Sequence, residues 1–100
     1  MTYELVFNEA ALKEWKKLDH TIQAQFKKHL IKRLQHPHVP SARLSGADMK
    51  NAYKIKLRDS GYRLVYEVND NTITVLVLAV GKRDKSQAYE AARQRIQKIL

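Results

Sequence analysis

Lys54, Lys56 and Arg58 occupy alternate positions in the run AYKIKLRDSGYRLVYEV, residues 52–68, and Arg63 stands further along the same run. In an extended strand successive side chains point to opposite faces. These cations therefore share one face, while Ile55, Leu57, Leu64 and Tyr66 share the other. The chemistry such a face offers is phosphate chemistry: an arginine fork grips phosphate oxygens and a lysine supplies a movable charge. The alternative is a plain solvated strand, for which alternating lysines are ordinary.

The turn argues for the functional alternative. A two-residue Ser60-Gly61 loop sets Arg58 opposite Arg63, Lys56 opposite Val65 and Lys54 opposite Glu67, with Leu57 facing Leu64 and Ile55 facing Tyr66. A three-residue loop would set Leu57 against Arg63 and mix the faces, so the shorter turn is expected. Like charges directly opposite destabilise a sheet unless an anion sits between them. Glu67 would then be a partial counter-charge to Lys54. Beyond the next strand, Lys82, Arg83 and Lys85 follow Gly81 and add cations for a polyanion. Tyr89 offers a ring that can stack on a base or bond a sugar hydroxyl. Residue type alone leaves it equally a core residue of the last helix.

A cationic face suits one reaction in particular. RNA cleavage needs a 2′-hydroxyl activated, a dianionic phosphorus centre stabilised and a leaving oxygen protonated. Clustered cations supply the second need directly. The proton transfers ask more of lysine, which titrates near 10.4 when free, but crowding by like charges lowers that value and makes Lys54 or Lys56 a usable acid or base.

Other chemistries find no support in the sequence. Cysteine is absent, which removes disulfides, thiolate nucleophiles and thiolate metal sites and fits a reducing cytoplasm. Among His20, His29, His36 and His38 no pair has a carboxylate arrangement resembling a zinc motif; His36 and His38 invite a metal reading but read better as solvated loop histidines, and no metal or other cofactor is expected. No Gly-rich phosphate loop or nucleophile elbow is present. Neither a leader nor a membrane span is expected, since the most apolar run, residues 73–80, is far short of the roughly 20 residues a span needs. With 19 Lys and Arg against 10 Asp and Glu, the net charge of +9 favours polyanionic partners.

The elements that must carry these residues can be placed by pattern. Tyr3, Leu5 and Phe7 alternate as in a strand, and Asn8 caps a helix from Glu9 to Leu18. Asp19 caps a second helix, with Ile22, Phe26, Leu30 and Leu34 at steps of four, which Pro37 ends. Residues 36–51 hold both prolines and no sustained period, and read as a loop. Three strands follow, at 52–58, 62–68 and 72–80, the last apolar at nearly every position as a strand covered on both faces would be. From Ser86, Tyr89, Ala92, Ile96 and Ile99 recur at helical spacing. The expected fold over residues 1–100 is a single α+β domain. A mainly antiparallel twisted sheet, made of the N-terminal strand and a three-strand meander, is flanked by an N-terminal helical hairpin and a C-terminal helix.

This order, together with YKIKLR, GYRLVY, VGKR and the downstream Tyr, resembles the RelE family of bacterial toxins over essentially the whole chain. The resemblance implies a metal-independent endoribonuclease that cuts messenger RNA in the ribosomal A site, leaving a 2′,3′-cyclic phosphate. It implies Lys54, Lys56, Arg63, Arg83 and Tyr89 as the residues at the scissile phosphodiester: the lysines in proton transfer and electrostatic stabilisation, the arginines on phosphate and Tyr89 orienting the substrate. Arg58, Arg43, Lys82 and Lys85 are the candidates for further RNA contacts. Close relatives carry an arginine just before the loop glycine, where this chain has Ser45 before Gly46, and Arg43 is the residue placed to compensate. The partners implied are a cognate antitoxin, ribosomal RNA and the ribosome, with operon DNA reached only through the antitoxin complex. The same fold also serves ParE-type toxins that inhibit DNA gyrase by binding. A third reading is a basic module that binds nucleic acid without cutting it.

Overall fold

The structure, a computed structural model, describes residues 2–44, 46, 49, 51–82 and 87–99. Strand β1 (Glu4–Phe7) runs straight into helix α1 (Glu9–Lys16), and α2 (His20–Gln35) follows after a short link. Both helices start where the sequence places a cap: Asn8 Oδ1 accepts from the Ala10 and Ala11 amides, and Asp19 Oδ1 from that of Thr21. The segment after α2 includes a turn of 3₁₀ helix (Pro40–Ala42), and strands β2 (Ala52–Lys56), β3 (Tyr62–Asn69) and β4 (Thr74–Lys82) and helix α3 (Gln87–Ile99) follow. The expected Ser86 start of that helix and the Ile99 side chain lie outside what is described.

The sheet order is β1-β4-β3-β2, with β1 parallel to β4 and the other two pairings antiparallel. β4 is therefore central, as its unbroken apolar run requires. One face carries Ile55, Leu57, Leu64, Tyr66, Val75 and Val77 and packs against Phe26 and Leu30 of α2 and Ala11 of α1. The other carries Ala52, Val65, Leu78 and Ala79 and packs against Ala88, Ala92 and Ile96 of α3. The α+β architecture expected from the sequence is the one observed.

A bulge in β4 allows both layers. Val65 pairs with Ala79 but Tyr66 pairs with Val77, leaving Leu78 as the extra residue. The bulge resets the alternation, so Leu78 and Ala79 both enter the α3 layer while Val77 and Val80 both enter the helical-hairpin layer. The pairing of β1 with β4 stops at Phe7 and Val77, and past that point the outer edge of β4 has no strand partner among the described residues. Glu14 and Arg95 take its place. Glu14 Oε1 accepts from the Val80 amide at 3.0 Å, and Arg95 Nη1 donates to the Leu78 carbonyl at 2.7 Å. The two side chains bond each other at 2.9 and 3.1 Å, tying α1 to α3 across the sheet edge.

At the far end, Asn69 Oδ1 accepts from the Asn71 and Thr72 amides and lengthens the turn. β4 accordingly starts at Thr74 and not at Thr72. Among the described residues no helix is long and apolar enough to cross a membrane.

Candidate active site

The hairpin of β2 and β3 departs from the register read off the sequence. Lys56 pairs with Arg63, Lys54 with Val65, Ile55 with Leu64 and Tyr53 with Tyr66. Residues 58–61 form a four-residue connection closed by the Leu57 amide on the Tyr62 carbonyl at 2.9 Å and the Gly61 amide on the Leu57 carbonyl at 2.9 Å. The physical reason lies at Ser60. A two-residue primed turn demands positive φ at its first central position, which serine resists. In the longer loop only Gly61 carries that demand, at φ 76°. The slip is an even number of residues, so no side chain changes face and apolar still meets apolar.

The like-charge pair is therefore Lys56 with Arg63, and the expected pairing of Arg58 with Arg63 is corrected. Arg58 leaves the ladder and lies exposed in the turn. It still lines, with Lys56, Leu57, Gly61 and Arg63, a cleft of about 220 Å³. Glu67 pairs with Ala52, so it does not stand directly opposite Lys54 as expected, and burial raises its carboxyl above the usual range.

Helix α3 brings the aromatic partner. Ala88, Ala92 and Ile96 recur every four residues and seat the helix on Val65, Leu78 and Ala79. Tyr89, next to Ala88, is half-buried and reaches Arg63: Arg63 Nη1 donates to the Tyr89 hydroxyl at 2.8 Å, and Arg63 Cζ lies 5.2 Å from the ring centroid. The core reading of Tyr89 holds in part: its ring borders the α3 layer, while its hydroxyl accepts from Arg63. Across the ladder from Arg63 stands Gly81, with no side chain to fill the space beside the guanidinium. Tyr89 engages one of the five N–H donors of that fork, and the rest of it can grip a phosphate.

Lys54 is half-buried, and its carbonyl accepts from Arg33 Nη1 at 3.2 Å, which ties α2 to the strand that carries both lysines. The structure thus gathers Lys54, Lys56, Arg63 and Tyr89 on one side of the sheet, with Arg58 at its end. Arg43 and Lys82 are not brought there. Arg43 bridges to Tyr53 at the outer edge of β2 while the following Leu44 packs in the α3 layer, so alternation turns Arg43 to the helical-hairpin side. Lys82 lies across from Tyr62 with its ammonium 5.6 Å from that ring, again on the helical-hairpin side. Arg83, Lys85 and Ser45 lie outside the described residues.

The histidine reading needs one amendment. His38 is exposed but tethered, with Nδ1 3.1 Å from the Tyr53 hydroxyl and Nε2 2.8 Å from Asp70 Oδ1. Among the described residues no group of three or more His, Asp or Glu side chains is placed to hold a metal ion. Sequence reasoning missed Glu14 and Arg95, which hold α3 and hence Tyr89 in place. No pattern in the chain announces a bond across 81 residues.

Residues 5–87 match the family described as the ParE toxin of type II toxin-antitoxin systems, parDE. The chain is 50% identical over 96 residues to the mRNA interferase toxin RelE of Escherichia coli K12, covering 96% of this chain and 99% of that one. It superposes on a mutant E. coli toxin RelE in the free state with a TM-score of 0.87 at 47% identity, covering the whole of both chains. It also superposes on a chain of the intact E. coli RelBE toxin-antitoxin complex with a TM-score of 0.78 at 49% identity, covering 83% of this chain and 99% of that one.

Proposed function

The chain belongs to the ParE and RelE family of type II toxins, and on that premise we propose that it is an mRNA interferase whose active site is the basic face built on β2, β3 and α3. It is a toxin that cleaves messenger RNA and has an antitoxin as its partner, as RelE has RelB in the related complex. The observation that carries the site assignment is the convergence of Lys56 and Arg63 across one ladder with Tyr89 locked onto Arg63.

Two like charges held side by side by backbone pairing are a poor choice for stability and a good one for a phosphate that gathers charge during reaction. Arg63 holds a non-bridging oxygen, oriented by Tyr89. A lysine of the pair Lys54 and Lys56 takes the proton of the attacking 2′-hydroxyl. The new bond from that oxygen to phosphorus expels the 5′-oxygen, which receives a proton from a second cationic group, and a 2′,3′-cyclic phosphate remains. Metal ions have no part in this scheme. Arg83 joins Arg63 on the phosphate, Arg58 extends the RNA contact from the turn, and Arg43, Lys82 and Lys85 supply charge at the periphery. The substrate is the message in the ribosomal A site, reached in the cytoplasm, and ribosomal RNA contributes to binding.

The family description carries the ParE name, and a gyrase inhibitor would need none of these side chains. Half the residues are shared with an mRNA interferase along nearly its whole length, which favours cleavage. The test is to incubate the protein with translating ribosomes and map new 5′ ends on the message. Lys54→Ala and Lys56→Ala should each lower the cleavage rate about 10²-fold or more, the scale of a lost proton-transfer group. Intact messages with falling gyrase activity would hand the assignment to the gyrase reading.

A further inference from the structure

A second cleft, of about 330 Å³, opens between α2 and the β2–β3 turn and is lined by Gln25, Lys28, His29, Lys56, Leu57, Arg58 and Asp59. It shares Lys56, Leu57 and Arg58 with the cleft beside Arg63, so the two form one continuous track around the end of the hairpin. Lys28, Lys56 and Arg58 outnumber its one carboxylate, that of Asp59. Partial burial, helped by Arg33 and Lys32, holds the His29 imidazole below its usual value, which favours its neutral form, with one N–H donor, on this wall. Gln25 adds a second neutral polar group. Cations flanked by neutral donors, along a track that begins at the scissile site, are what a polynucleotide backbone asks of its binding surface.

We propose that the cleft between α2 and the hairpin turn is a second RNA subsite, in which Lys28 and Arg58 hold a phosphodiester of the same strand that is cut beside Arg63. Resting on the nuclease reading above, it adds a reason why the site favours a strand over a single phosphate. Arg58 is the pivot, since it lines both clefts. Lys28 is the diagnostic residue, because it lines only the second and is exposed on a helix, where glutamine replaces it without disturbing the core. Lys32 provides the control: it lies on the same helix with the same charge and lines neither cleft.

The experiment measures fluorescence anisotropy of the full chain with a fully 2′-O-methylated octanucleotide and with a trinucleotide, across a salt series. Lys28→Gln should weaken the octanucleotide about fivefold at low salt and lower the slope of log affinity against log salt by about 0.7, leaving the trinucleotide unchanged. Lys32→Gln should do neither. Equal losses for Lys28→Gln and Lys32→Gln would mean net charge alone, and equal losses on both lengths would mean a disturbed first cleft; either overturns the subsite. So does a loss seen only with ribosomes, which would place ribosomal RNA in the cleft. If messages are never cut but the octanucleotide still depends on Lys28 and not Lys32, the nuclease reading fails and the subsite stands.

Discussion

Arg63 on β3 and Tyr89 on α3 are joined twice, by a 2.8 Å bond from guanidinium to hydroxyl and by a guanidinium lying 5.2 Å from the ring centroid. The candidate site is therefore not a property of the strand alone. It is complete only while α3 is seated on the sheet.

The two contacts can be separated by mutation. Tyr89→Phe keeps the ring and loses the acceptor, and is expected to slow message cleavage about tenfold, in line with the loss of one charge-assisted hydrogen bond. Tyr89→Ala removes both contacts and should cost about 100-fold. Single-turnover cleavage of ribosome-bound message measures both, and identical rates for the two variants would assign the whole effect to the hydroxyl.

Arg95 positions α3 from the opposite side of the helix–sheet seam. Arg95→Met removes its bonds to Glu14 and the Leu78 carbonyl, and both ion-pair side chains are only 18% and 32% exposed. The expected loss is about 2 kcal/mol. For a domain of this size that lowers the melting temperature by about 10 °C, as calorimetry would record. Hydrogen exchange in α3 should rise more than in α2.

Tyr66 anchors the opposite layer. Its buried hydroxyl donates to the Pro37 carbonyl at 2.8 Å and accepts from Arg33 Nη1 at 2.8 Å. Tyr66→Phe removes both bonds and leaves the Pro37 carbonyl with the Val39 amide at 3.1 Å, and urea unfolding should show a loss of about 1 kcal/mol. Because Arg33 also holds the Lys54 carbonyl, a smaller decline in cleavage should accompany it.

Asp70 confers a pH dependence on the turn that ends β3. The Tyr3 hydroxyl at 2.6 Å, and then His38, hold its carboxyl below the usual range, while Asp70 holds the Tyr3 phenol above its own. A depressed carboxyl contributes stability that is present above its unfolded value and disappears as pH falls through the folded one. The raised phenol works in the other sense: its contribution is complete below the unfolded tyrosine value and disappears as pH climbs through the folded one. Chemical denaturation of the wild type and Asp70→Asn should differ by a constant amount near neutrality. The curves should converge in acid, as the carboxyl protonates, and narrow again in strong alkali.

Much of this was legible along the chain because its causes are local. Asn8 and Asp19 cap helices within three residues of themselves, the spacing of Phe26 and Leu30 declares the buried face of α2, and the apolar run of β4 declares a strand covered on both sides. The shared face of Lys54, Lys56 and Arg63 was equally secure, since it follows from the two-residue period of a strand and survives any even slip in register.

What the chain by itself determined is thus the type and phase of each element, and with them a basic face opposite an apolar one. Which cations meet on that face was decided only in three dimensions. Ser60 would not take the positive φ of a tight turn, so the hairpin slipped by two, put Lys56 where Arg58 was expected opposite Arg63, and sent Arg58 to the junction of two clefts. The bond from Arg63 to Tyr89, the Glu14–Arg95 clamp and the nearness of Lys28 to the hairpin turn join residues far apart in sequence. Such contacts depend on how whole layers pack, and packing leaves no period in a sequence to be read.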